Sequence, residues 1–277
     1  MTPRIWASWC AGLGKSGRRG FPGHHRNGNS RRKGFTRGLT WLITQSGCRT
    51  GGSNSRGQFT RSPCCVAESG KEVDMPTENL VGEILLVLDM QNSFCHEKGS
   101  MYEAMGAPLY DLDKVVENTV RVVAAARDNG VPVVFTRHQY LWGHADFGAQ
   151  FGPFRDHLAA TGGLLGGSWD ADVIDALECS PRDLVIPKAR LDAFHNTGLD
   201  TLLRSMAADR LTIVGIVTNA CVETTARAAV MRDYSVTVVA DCTTSAQQRY
   251  RDISLEFMEA FQIAQVSQSS ELPYLCG

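Results

Sequence analysis

Three side chains able to do chemistry stand at or just beyond the ends of apolar runs. Asp89 follows EILLVL, Lys188 follows LVIP, and Cys221 lies in GIVTNACVETTARAA, shortly after RLTIVGIV. Singly, each has an ordinary explanation. A strand-end Asp caps a turn, a Lys is solvated, and a free Cys is among the most buried residue types. Together they are harder to dismiss, because an unpaired charge set against apolar strands is costly and mutual pairing of Asp89 with Lys188 removes that cost. A carboxylate, an ammonium and a thiol brought together can generate and stabilise a nucleophile. With Asn219 as helix N-cap, Cys221 falls in the first helical turn, where free N–H groups and the helix dipole favour a thiolate.

The elements that must carry these residues follow from periodicity. Short apolar runs at 83–89, 131–138, 183–189, 210–217 and 235–241 predict strands, and AQVSQ at 264–268 predicts a short last one. Between them, 112–130 has helical spacing through Val115, Val116, Thr119, Val122, Val123 and Ala126 and stops at Asn-Gly. TGLDTLLRSMAA, CVETTARAAVMRDY and RYRDISLEFMEAFQIA predict further helices. Strands alternating with helices define an α/β fold, a doubly wound three-layer α/β/α domain with a Rossmann-like parallel sheet of about six strands. Such sheets bind ligands beyond the carboxyl ends of their strands, where Asp89, Lys188 and Cys221 fall. The connection from Gln139 to Ser168 is long and rich in Gly, Phe and His, which predicts a lid or binding loop with a short helix in FRDHLAATG.

Charge divides the chain into a leader, 1–74, and a body, 75–277. From Met1 to Ala67 there are twelve Lys or Arg and no acid, in a Gly-, Ser- and Arg-rich segment without apolar periodicity. From Met75 onward, 26 acids face 15 Lys plus Arg, a net charge of 15 − 26 = −11. The leader is expected to be disordered. It fits a transit peptide, a basic tail, or sequence translated ahead of a start at Met75, and the last is favoured because amphipathic spacing is missing. An acidic body argues against nucleic acid as partner. There is no apolar run of membrane-spanning length, so no membrane partner is expected. The nine cysteines show no CxxC spacing within the body, which excludes a zinc ribbon and points to a reducing, cytoplasmic setting, organellar import by the leader being the alternative.

LLVLDMQNSF, LVIPKARLDAFHNTGLDTLLR and GIVTNACVETTARAAVMRDYSVTVVADCTTSA, in that order and spacing, resemble the isochorismatase-like cysteine hydrolases over residues 83–268. Within that family the motifs are most similar to those of ureidoacrylate amidohydrolases, biuret hydrolases and N-carbamoylsarcosine amidohydrolases. The resemblance implies a catalytic triad of Asp89, Lys188 and Cys221, without metal or organic cofactor. In it Asp89 takes the thiol proton, Lys188 holds carboxylate and thiolate, and Cys221 attacks an amide or ureide carbonyl to give a thioester. It also implies an oxyanion hole from the backbone N–H groups of Val217 and Cys221, beside a non-proline cis peptide between Ile216 and Val217. A small linear ureido, carbamoyl or carboxamide substrate and a dimeric or tetrameric homo-oligomer are further implications.

For substrate contacts, Gln91 and Phe94 are positions that the resemblance places facing the site, and Phe194, His195 and Asn196 lie close behind Lys188. Plain core is the alternative for the two Phe residues. Leu191 and His195 depart from the aromatic RYSGFF-like pattern of relatives. A nicotinamidase would share the triad but needs a metal held by Asp-x-His after the second strand. Here His138 and Tyr140 stand at those positions, so His138 and His144 are taken as loop residues with a substrate contact. An isochorismatase-type activity lacks the nucleophilic cysteine. A silent α/β scaffold is the remaining alternative, and a dinucleotide-binding fold is excluded by the missing GxGxxG turn.

Overall fold

In a computed structural model, the structure describes residues 80–149, 152–181 and 183–275. The leader expected to be disordered lies outside them, as does Cys276. The described chain builds one six-stranded sheet, all of whose pairings are parallel, in the order β3-β2-β1-β4-β5-β6. The strands are β1 (Glu83–Leu88), β2 (Val133–His138), β3 (Leu184–Lys188), β4 (Arg210–Ile216), β5 (Ser235–Thr244) and β6 (Gln265–Ser267). The chain lays down one half outward from β1, then returns to the other side of β1 for β4. The switch in direction opens a crevice at the carboxyl ends of β1 and β4.

Helices cover both faces. They are α1 (Asn92–Cys95), α2 (Ser100–Met105), α3 (Leu112–Asp128), α4 (Gly152–Thr161), α5 (Leu199–Ser205), α6 (Glu223–Val230) and α7 (Gln248–Ala260). Leu85 and Val87 of β1 join Val122, Val123 and Ala126 of α3 in one core layer. Ile84, Leu86 and Leu88 point the other way, to Leu199 and Leu203 of α5, Ala226 and Ala229 of α6, and Met258 of α7. A strand buried on both faces needs a continuous apolar run, which is why EILLVL does not alternate. No described helix is long and apolar enough to cross a membrane.

Predicted and observed elements agree in type, with differences that have local causes. β5 runs three residues beyond the expected end, because Thr243 and Thr244 pair with Gly215 and Ile216 after a register shift. Gly215 has φ +111°, and a Cβ there would collide with Leu88 O. Glycine thus lets β4 close onto β1 immediately before the cysteine turn. The described residues of the 139–168 connection are held by backbone hydrogen bonds at its neck. Tyr140 N donates to Leu164 O (2.8 Å) and Gly166 N to Tyr140 O (2.9 Å), closing its neck. Its own Tyr140, Phe147, Leu158 and Leu164 are buried. The expected short helix is present as α4, starting slightly earlier.

Candidate active site

Asp89, the first residue after β1, sits at φ 52°, in the left-handed region. One hydroxyl fixes it there: Thr136 Oγ1 accepts from Asp89 N (3.2 Å) and donates to Asp89 Oδ1 (2.6 Å). Thr136 belongs to the neighbouring β2 and is fully buried. Lys188 ends β3, one strand further out. Strands lie about 4.8 Å apart, so its side chain must span about 10 Å between backbones to reach the end of β1. Lysine has the length, and its Nζ meets Asp89 Oδ2 at 2.6 Å. Nζ also donates to Arg190 O (2.9 Å) and to Cys221 Sγ (3.3 Å). The three residues proposed from sequence as a triad are therefore brought together, all buried.

Cys221 does not sit in an Asn-capped α-helix as expected. The segment Thr218–Val222 forms a π turn that runs into α6, and no side chain caps it at Val217. Asn219 Oδ1 instead accepts from Ser245 Oγ (2.8 Å), while Thr218 and Thr243 hydroxyls bond each other at 2.8 Å. These contacts fasten the turn to the end of β5. The Ile216–Val217 peptide is cis, as the resemblance implies. Within the turn, Ala220 N and Val222 N both donate to Val217 O.

Electrostatics correct a second expectation. The Cys221 thiol is not acidic at rest: burial, then the Asp89 carboxylate, push it up to about 12, against the opposing pull of Lys188. Burial alone would raise the Asp89 carboxyl as well, but the Lys188 ammonium and the surrounding bonds hold it below the usual carboxylate range. Burial would lower Lys188, and Asp89 with Cys221 raise it above its ordinary value. At neutral pH the resting site is thus carboxylate, ammonium and thiol. Forming a thiolate there needs a base next to the sulfur, and the Asp89 carboxylate lies within 4.8 Å of it.

His138 is not a loop residue. It ends β2 directly opposite Lys188 in the ladder, and it is fully buried. Its Nδ1 lies 3.3 Å from Lys188 Nζ and its Nε2 2.8 Å from Tyr140 Oη. Burial and the Lys188 ammonium push its pKa down to about 3, so the ring is neutral. The rule that placed Asp89 and Lys188 at strand ends applies equally to FTRH, and that signal could have found it. His144 is half-buried, with Nε2 against Gly163 O (2.8 Å).

Asp89, His138 and Cys221 have donor atoms within 4.8 Å of one another, a spacing compatible with a metal ion. A metal does not fit there as the site stands, because Lys188 Nζ lies within 3.3 Å of one donor atom of each. The cation at the centre of this donor set is the protein's own ammonium.

The five expected substrate contacts separate. Gln91 spends its amide on structure: Nε2 donates to His138 O (3.0 Å) and Ala171 O (2.7 Å), and Oε1 accepts from His138 N (2.7 Å). It positions the end of β2, with both Nε2–H bonds and one Oε1 lone pair engaged by backbone. Phe94 lies in the core layer with Met90, Met101 and Tyr140. Phe194 belongs to the opposite layer, stacked on Tyr234 (5.9 Å) under the Arg232 guanidinium. The core alternative thus holds for Phe194. His195 and Asn196 are exposed, 3.3 Å from each other. A cavity of about 410 Å³ between Cys95, Tyr102, Leu109 and Asp111 is lined by none of the triad.

The fold and this constellation define an α/β cysteine-hydrolase architecture, and the comparisons agree. The isochorismatase domain profile matches residues 83–270. The ureidoacrylate amidohydrolase RutB of Serratia proteamaculans is 34% identical over 177 residues, 60% of this chain and 71% of that one. Its counterpart in Methylorubrum extorquens is 35% identical over 174 residues, 59% and 70% of the two chains. Among solved structures, a cysteine hydrolase from Pseudomonas syringae pv. phaseolicola superposes with a TM-score of 0.62 at 27% identity, covering 70% of this chain and 92% of its own. The N-carbamoylsarcosine amidase of Thermoplasma acidophilum gives 0.52 at 26% identity, covering 69% and 98%. The chain belongs to the isochorismatase family.

Proposed function

We propose that this protein hydrolyses the carbon–nitrogen bond of a small linear ureido, carbamoyl or carboxamide compound through a cysteinyl thioester. The observation that carries this reading is Lys188 Nζ held between Asp89 Oδ2 (2.6 Å) and Cys221 Sγ (3.3 Å) in a buried site. Relatives called ureidoacrylate amidohydrolase and N-carbamoylsarcosine amidase support the choice of substrate class.

In the proposed sequence Asp89 accepts the Cys221 proton as sulfur attacks the carbonyl carbon, forming the S–C bond and an oxyanion at the Val217 and Cys221 amides. Collapse of that adduct breaks the C–N bond, and Asp89 returns its proton to the departing nitrogen. Asp89 then takes a proton from water, whose oxygen attacks the thioester carbonyl. The acid product leaves and Cys221 recovers the proton. Coupling proton transfer to attack is what a thiol near 12 requires, since a standing thiolate is scarce.

The test is ammonia release by the full chain from ureidoacrylate, biuret, N-carbamoyl amino acids, maleamate and nicotinamide. Turnover of a linear ureido or carbamoyl compound, abolished by Cys221→Ala, is expected. Turnover of nicotinamide alone, or full activity in Cys221→Ala, overturns the proposal.

A further inference from the structure

Arg190 stands two residues beyond Lys188, past the carboxyl end of β3, on the side of the sheet where ligands bind in such folds. Its carbonyl accepts from Lys188 Nζ (2.9 Å), which also reaches Cys221 Sγ (3.3 Å), so its backbone lies two hydrogen-bond lengths from the sulfur. Its side chain is half-buried and anchored at one nitrogen. Nη1 donates to Asp146 O (2.8 Å) and Ala189 O (2.6 Å), which uses both of its protons. A guanidinium has five N–H bonds, so three remain, on Nε and Nη2. None of these three finds an acceptor among the described residues.

The remaining edge is of the kind that takes a carboxylate side-on through two parallel bonds. The Nη1 bonds fix the plane of the group in advance, so little freedom is lost when a ligand arrives. At Gly148, with φ +70°, an added Cβ would stand 2.5 Å from Nη2, so the guanidinium packs there against bare backbone. No carboxylate of the described residues forms an ion pair with it. Asp146, whose carbonyl it binds, turns Oδ1 to Leu141 N (2.8 Å). The other charges of the site are already matched: Asp89 meets Lys188 at 2.6 Å, and His138 is neutral. The Arg190 charge is nonetheless felt there, since after burial and Lys188 it also holds His138 down.

We propose that the Nε and Nη2 edge of Arg190 receives a carboxylate carried by the substrate, so that the substrate is a linear ureido or carbamoyl acid and Arg190 selects it over neutral amides. This inference rests on the Asp89, Lys188 and Cys221 reading above, which places the scissile carbonyl at Cys221. The carboxylate then lies toward the end of β3 and the 146–148 stretch. Arg190 moves no proton in this arrangement. Its contact is made in the bound substrate as well as in the transition state, so it acts on KM more than on kcat.

The test measures binding apart from turnover, by ligand-observed NMR titration of the full chain carrying Cys221→Ala. The probes are N-carbamoylglycine and N-isobutylurea, which share a branched shape and differ in ending on a carboxylate or an isopropyl group. N-carbamoylglycine is expected to bind about tenfold more tightly, and adding Arg190→Gln should remove that preference. Arg190→Lys keeps the charge without the fork and should leave an intermediate preference. Equal affinity for the two probes before Arg190 is changed, no binding of N-carbamoylglycine, or an equal loss for both probes in Arg190→Gln overturns the proposal. If Arg190→Gln does not fold, Arg190→Lys decides, and an undiminished preference there overturns it. Failure of the hydrolase reading would appear separately, as ammonia released from N-carbamoylglycine by Cys221→Ala.

Discussion

Replacing Lys188 by Met tests the electrostatic account of the site without reference to any substrate. The side chains have similar length, so the change removes the charge and leaves most of the packing. Lys188 and Asp89 are both buried and only 2.6 Å apart. Deleting one partner of such a pair leaves an uncompensated charge and costs about 3–5 kcal/mol. The cost must depend on pH. In the parent, Asp89 is held below its ordinary value, so its contribution is full above pH of about 4 and is lost as pH falls through the folded pKa. Without the ammonium, burial acts with little opposition and raises the folded pKa above the unfolded one. Such a carboxyl takes up a proton on folding, so the variant recovers stability as pH falls toward about 4. Urea unfolding at pH 8 and pH 5 should show the full penalty at the first and a smaller one at the second. Asp89→Leu combined with Lys188→Met should restore at least about 2 kcal/mol relative to Lys188→Met alone. A penalty below about 1 kcal/mol, or one equal at both pH values, would refute the buried-pair account.

Three further outcomes follow from the same geometry. His138 is neutral when folded, with a pKa of about 3 against an ordinary 6.5, so the unfolded chain binds one more proton between those values. Stability should fall as pH drops from 6.5, and His138→Asn should flatten that slope by about 1.4 kcal/mol per pH unit in equilibrium unfolding. Thr136→Val removes the hydroxyl that donates to Asp89 Oδ1 and should cost about 1.5–3 kcal/mol. It should also move the acidic limb of the turnover profile upward, and an unmoved limb argues against Thr136 tuning the base. Gly215→Ala places a methyl against Leu88 O at φ +111° and should destabilise by about 3 kcal/mol in thermal or urea unfolding. A neutral Gly215→Ala would show that β4 need not approach β1 so closely.

The strand ends were legible because a buried parallel strand must be an apolar run, and a charged residue closing such a run is conspicuous. Asp89 and Lys188 announced themselves in this way. His138 closed its run just as plainly, yet an imidazole is common in loops and the gap to Tyr140 suggested a failed metal motif. Only the parallel register, which sets His138 opposite Lys188, shows that it lies under the ammonium. Phe194 illustrates the opposite difficulty. Its place a few residues behind Lys188 suggested a pocket wall, but chain proximity does not fix direction, and the ring turns to the core on the α5 and α6 side.

By itself the sequence determined the alternation of strand and helix, the parallel sheet, and the three residues whose types could make a nucleophile. Local periodicity and the cost of stranded charges suffice for that. The tertiary structure decided the state of those residues. The acidity of Cys221 depends on how far its sulfur is buried and how near Asp89 lies, quantities that no spacing encodes. Apart from Arg190 O, two residues on, the neighbours of Lys188 are drawn from three separate stretches of chain, and their meeting around one ammonium exists only once the sheet has formed.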